Sequence, residues 1–156
     1  MNDLIKTIEN LSREEALEAA QYLALRISEG RSPGEREKQF LTPFLEQPYA
    51  NIEEIEEISR LVLVAAATTE EYQGPLKSAI EGAGRKQLIL GGAEIVALAT
   101  IGLVALHMLL TNGKSDEDEV FTIEKENGRT SISIRRKTTY GISDSLGKIL
   151  KGYFSK

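Results

Sequence analysis

Residues 88–111, LILGGAEIVALATIGLVALHMLLT, hold only two ionisable side chains, Glu94 and His107, in a chain that is 28% charged overall. A segment this apolar must leave water, so either the rest of the fold is built around it or a bilayer takes it. Its length meets the ~20 residues that a membrane span requires. Other details favour a buried central helix. Gly91-Gly92 reads as a helix start, with Glu94 near the first turn, where the helix dipole favours a carboxylate. Glu94 and His107 leave Ile95 to Leu106 as the uninterrupted stretch, 12 residues, in the range between core helix and span. Charges inside a membrane are costly, which tips the reading toward a core helix. The small residues Ala93, Ala97, Ala99, Gly102 and Ala105 let neighbouring helices approach closely in either solvent.

The chain ahead of this segment punctuates itself as helices. Ser12-Arg13-Glu14-Glu15 is a capping box with Leu11 at the position of a hydrophobic staple. The helix it opens places Ala16, Leu17, Ala20, Leu23, Ala24 and Ile27 on one stripe, and Gly30 offers a stop. A shorter turn containing Leu4, Ile5 and Ile8 leads into it. Ser32-Pro33-Gly34-Glu35 is a second start, and Pro43 interrupts the helix opened there, with Phe40, Leu41, Phe44 and Leu45 as a buried cluster around the kink. Asn51 caps a helix whose inner stripe is Ile52, Ile55, Ile58, Val62 and Ala65. Glu53, Glu54, Glu56 and Glu57 read as its solvated face. From Leu61 to Ala67 that helix is apolar all round, which predicts a central position. Thr68-Thr69 and Gly74-Pro75 read as breaks, with a short helix from Pro75 to about Ala83.

After Asn112-Gly113 the hydrophobic period changes to two. Val120–Lys125 and Thr130–Arg136 alternate on either side of Asn127-Gly128, the favoured two-residue hairpin turn. That turn sets a register in which Ile123 faces Ile132 and Phe121 faces Ile134. The same register sets Glu119 opposite Arg136 and Asp118 opposite Lys137. Thr122, Glu124, Ser131 and Ser133 then form the wet face. Ser143 reads as the cap of a last helix with Leu146, Ile149, Leu150, Tyr153 and Phe154 on one side and Lys148 and Lys151 pointing away. Gly147 and Gly152 each cost that helix roughly 1 kcal/mol against alanine, so it needs a partner surface, and the apolar hairpin face supplies one.

Composition narrows the chemistry. There is no cysteine and a single histidine, which excludes disulfides, zinc ribbons and iron–sulfur clusters and leaves little for a transition-metal site. Residues 1–112 carry 17 Asp/Glu against 10 Lys/Arg, and residues 113–156 carry 7 against 9. An acidic front with a near-neutral tail is a poor footprint for nucleic acid. Glu94 and His107 lie on different helix faces and ~20 Å apart along the axis, too far for one acid–base step. Gly82-Ala83-Gly84-Arg85-Lys86 lacks both the Walker spacing and the preceding strand of a phosphate loop, so it reads as an inter-helix joint. The acidic runs lack the alternating ligands and central glycine of a calcium loop. No serine sits in a nucleophile elbow, and nothing assembles a nucleophile, a base and an orienting group.

From Gly91-Gly92-Ala93-Glu94 through the apolar helix, the Asn127-Gly128 hairpin and the closing helix, residues 91–156 resemble small effector-associated components of bacterial conflict systems. The resemblance implies an adaptor that links sensors to effectors, with no catalytic residue to carry over. The expected fold is mainly α: a helical bundle around an apolar central helix, with a C-terminal two-stranded β-hairpin and a short terminal helix. Residues 1–87 form an acidic multi-helix region, 88–112 the apolar helix and 113–156 the hairpin with its helix, together one folded unit. The expected function is non-catalytic, a protein-interaction or adaptor module, self-associating or bound to a protein partner, with no cofactor, metal or small-molecule substrate. Leu98, Ile101, Gly102, Ala105, Leu150, Tyr153 and Phe154 are the interaction candidates. The acidic, amphipathic N-terminus lacks the pattern of a secretory signal, which points to the cytoplasm. The alternative is a single-span membrane protein crossing at 88–111. Lys77, Arg85 and Lys86 would then keep its N-terminal part cytoplasmic, and it would act as a sensor or membrane-perturbing effector.

Overall fold

The computed structural model describes residues 2–28, 52–83, 102, 105–106, 121–134 and 138–154. They form α1 (Asn2–Asn10), α2 (Arg13–Ser28), α3 (Ile52–Ala67), α4 (Glu70–Gly82), β1 (Phe121–Glu126), β2 (Arg129–Ile134), β3 (Thr138–Ile142) and α5 (Asp144–Phe154). The chain is thus mostly helical, with a three-stranded antiparallel sheet toward its C-terminal end. The Ser32-Pro33 start, the Phe40–Leu45 cluster, the Asn51 cap, the Gly91-Gly92 start, Glu94, His107 and the Glu119–Arg136 and Asp118–Lys137 pairs lie outside the described residues.

The turn between α1 and α2 shows why a helix begins at Arg13. The Ser12 main-chain N–H donates to Glu15 Oε1 at 2.9 Å, and the Glu15 N–H donates to Ser12 Oγ at 3.1 Å, a reciprocal capping box. The stripe Ala16, Leu17, Ala20, Leu23, Ala24 and Ile27 is buried, as its spacing predicts. The lead-in turn is longer than its sequence suggests, a nine-residue helix anchored by the buried Ile8. Ser12→Ala should lower stability by about 1 kcal/mol, because one helix-end donor loses its acceptor. Urea unfolding measures the loss, and an unchanged midpoint would show the box to be dispensable.

Helix α3 is the centre of the described fold. Leu61 to Ala67 are all at 0% exposure, in keeping with their all-round apolarity. The helix packs against α1, α2, α4 and α5. Its C-terminal carbonyls are closed by side chains: Thr68 and Thr69 hydroxyls donate to Ala65 O, and Gln73 Nε2 donates to Ala67 O. The corner at Thr68-Thr69 falls where the sequence breaks. The expected second break does not occur, because α4 starts at Glu70 and runs through Gly74-Pro75. Proline removes one helix donor, but burial of Leu76 and Ala79 on the face toward α2 and α3 compensates for it.

The hairpin has the expected register, with Phe121 opposite Ile134 and Ile123 opposite Ile132. Asn127 and Gly128 both take positive φ, 53° and 78°, as a two-residue turn of this type requires. The sheet, however, has a third strand. β3 pairs antiparallel with β2, setting Thr138 opposite Ile134, Tyr140 opposite Ile132 and Ile142 opposite Thr130. These residues extend the apolar face, while Ser133 and Thr139 hydroxyls meet at 3.1 Å on the exposed one. Ser143 caps α5 as expected, accepting the Leu146 N–H at 3.1 Å, and Leu146 and Leu150 are buried.

Candidate functional site

Three places on the described surface combine exposed or polar side chains from distant parts of the chain. The first is a groove between α2 and α4 of about 410 Å³, lined by Glu18, Gln21, Tyr22 and Leu25 on one wall and Ser78, Ala79 and Gly82 on the other. Small residues on α4 make the groove, because Ala79 and Gly82 leave room where larger side chains would fill the cleft. Tyr22 and Leu25, 49% and 46% exposed, are the large apolar side chains most open to solvent among the described residues. Both lie next to the buried stripe of α2, at its edge, so their exposure is a consequence of the helical period.

The second place is a polar junction on one turn of α3. Glu56 accepts from Arg13 Nε at 2.6 Å with one carboxylate oxygen and from Arg60 Nε at 2.9 Å with the other. The Arg60 guanidinium continues outward, donating from Nη1 to Ile8 O at 2.7 Å and from Nη2 to Leu11 O at 2.8 Å. Those carbonyls close α1, so the arginine caps its C-terminal end. The neighbouring Glu57 accepts the Ser143 main-chain N–H through Oε2 at 2.8 Å, tying α3 to the start of α5. Glu56 and Glu57 are therefore not a solvated face. Arg13 and Ser143 come from elements far along the chain, Arg60 from the next turn of α3, and both carboxylates are partly shielded from water.

Electrostatics follow from this geometry. Partial burial works to raise the Glu56 carboxyl, but the hydrogen bonds from Arg13 and Arg60, with their charges, hold it below the ordinary carboxylate value. A depressed carboxylate stabilises the fold above its unfolded pKa, and that stability is lost as pH falls through the folded one. Glu56→Gln should therefore flatten the loss of stability on acidification below about pH 4.5. Unfolding midpoints at pH 7 and at several lower values test this, and parallel pH profiles for variant and parent would refute it. Tyr140 on β3 is half-buried within reach of the same charges. Its burial raises the phenol above its usual value, Arg60 lowers it, and Glu9, Glu57 and Glu56 add to the rise.

At the far side of α5, Asp144 accepts from the Thr130 hydroxyl and from Lys125 Nζ at 3.4 Å. The Thr130 bond first, then the lysine, holds its carboxyl below the ordinary value. Lys125, Thr130, Asp144, Gly147, Lys148 and Lys151 line a shallow hollow of about 160 Å³ there.

The interaction candidates read from sequence fall in different places. Gly102 and Ala105 are helical and buried, and Leu150 is buried beneath α5. Tyr153 and Phe154 belong to the last turn of α5, and Leu98 and Ile101 lie outside the described residues. Tyr22 and Leu25 escape sequence reasoning because one exposed apolar residue beside a helical stripe is ordinary. Ala79 and Gly82, the small residues opposite them, were the available signal. Among the described residues, no group of three or more His, Cys, Asp or Glu side chains is placed to hold a metal, and no helix is long and apolar enough to cross a membrane. No protein-family model matches the chain, and neither a curated protein nor a solved structure is significantly similar to it.

Proposed function

We propose that this chain is a non-catalytic interaction module, an adaptor of the bacterial cytoplasm that binds protein, including further copies of itself, through its helical surface. The observation that carries the reading is the α2/α4 groove, a concave surface flanked by the exposed Tyr22 and Leu25. Tyrosine is enriched among the residues that anchor protein contacts, and exposed apolar surface beside a groove marks such contact sites. Light scattering after size exclusion, across a range of concentrations, tests it on the full chain. The parent should exceed the monomer mass, and Tyr22→Glu with Leu25→Glu should return it to monomer with an unchanged melting temperature. A parent that stays monomeric and captures no partner, or a double variant that assembles like the parent, would overturn the reading.

We further infer that residues 88–111 form a core helix of the bundle. Gly102 lies against Ile58 of α3, where an added Cβ would stand 3.1 Å from Ile58 Cγ2. A bilayer centred near residue 102 would draw in the adjacent turns of α3, with Glu56, Glu57 and Arg60. Placing those charges at membrane depth is strongly unfavourable. This supports the core helix over the single-span alternative, and recovery of the chain without detergent tests it.

A further inference from the structure

We propose that α1 is a hinged strap, fastened to α3 at its C-terminal end and able to swing away as a unit while the rest of the bundle stays folded. A nine-residue helix has little stability of its own and depends on its attachments. Among its described side chains only Ile8 is fully buried, while Leu4 and Ile5 are half-buried and Asp3, Lys6, Thr7, Glu9 and Asn10 are exposed.

Among the described residues the polar fastening is confined to one end. Arg60 grips Ile8 O and Leu11 O, and Arg60 is itself held by Glu56, which also takes Arg13 across the corner. The capping box fixes the chain again at Ser12. Toward the other end, the one side-chain hydrogen bond described, from the Thr7 hydroxyl to Asp3 O at 2.8 Å, stays within the helix. The corner from Ile8 to Ser12 is thus a clamped pivot, and the arm beyond it rests on the core through Leu4 and Ile5. Opening about the corner leaves the buried stripe of α2 and the Leu61–Ala67 turns of α3 intact. Its consequence for binding rests on the interaction reading above: an open arm adds Leu4 and Ile5 to the surface a partner can reach.

Amide hydrogen exchange on the full chain, followed by NMR, tests the strap separately from any binding. Lys6 to Asn10 should exchange at one common rate, at least about tenfold faster than Leu61 to Ala67. Arg60→Gln loosens the pivot and should speed the Lys6–Asn10 set by about a further tenfold, leaving Leu61–Ala67 unchanged. Three results would overturn the proposal. One is α1 protection equal to that of Leu61–Ala67, which means that α1 opens only with the whole bundle. Another is a residue-by-residue gradient, which means simple fraying. The third is an Arg60→Gln effect shared equally by both sets.

Discussion

Gly102→Leu should destabilise the chain by about 3 kcal/mol, a larger effect than any other substitution proposed for this fold. Gly102 is helical and buried, and its backbone lies close enough to α3 that even one added carbon would stand 3.1 Å from Ile58 Cγ2. Ile58 is itself 1% exposed and belongs to the main core cluster, so it has nowhere to retreat. A leucine adds three carbons beyond that contact and must push the two helices apart. Separation would loosen the fully buried Leu61–Ala67 turns immediately beyond. Urea unfolding followed by circular dichroism measures the change, the chain having no tryptophan to serve as a probe. The midpoint should fall with an unchanged slope, and Gly102→Ala, which asks Ile58 to give only a few tenths of an ångström, should cost far less. Equal midpoints for parent and leucine variant would mean that residue 102 faces open space.

Gly147→Val should cost about 2 kcal/mol by the same assay. Gly147 is the point at which α5 crosses the sheet. A Cβ there would stand 3.0 Å from Thr130 Cγ2 and 3.9 Å from both Ile123 Cγ2 and Ile142 Cδ1, one residue from each strand. The Thr130 methyl cannot turn aside freely, because its hydroxyl is committed to Asp144 at the start of α5. Relief must come from lifting the helix, which uncovers Leu146 and Leu150. Gly147→Ala is the informative control. Helix propensity favours alanine by about 1 kcal/mol and offsets much of a smaller clash. A valine variant as stable as the parent would show that α5 does not need this close approach.

Local rules carried the parts of the fold that are legible in the sequence. The capping box at Ser12 and the register set by Asn127-Gly128 depend on residues close together in the chain, and both stand in the structure as the spacing predicts. The central place of Leu61–Ala67 was legible for a similar reason, since a helix that is apolar all round has no face to give to water. β3 is not legible in the sequence because its alternation is short, contains Gly141 and follows the basic run Arg135-Arg136-Lys137. Thr138, Tyr140 and Ile142 read as an inward row only once β2 is beside them. The sequence leaves Glu56 and Glu57 looking solvated because, apart from Arg60 one turn on, their partners Arg13 and Ser143 lie 43 and 86 positions away, beyond any local pattern. Gly147 looked like a defect in a helix, and the strands beneath explain it. The groove is the least legible feature, because it arises only where the small residues of α4 meet the larger side chains of α2.

The placement of α3 also bears on how the chain folds as it is synthesised. Among the described elements, α1 and α2 alone precede its apolar turns and emerge from the ribosome in time to cover them. Gly102, which closes on Ile58, comes more than forty positions after it, and Ser143, which completes Glu57, comes 86 positions after that glutamate. A nascent chain halted between those points carries an incompletely covered greasy cylinder, the kind of surface that recruits chaperones or seeds aggregation. Synthesis past α5, rather than the completion of α3, is then the step that ends this exposure.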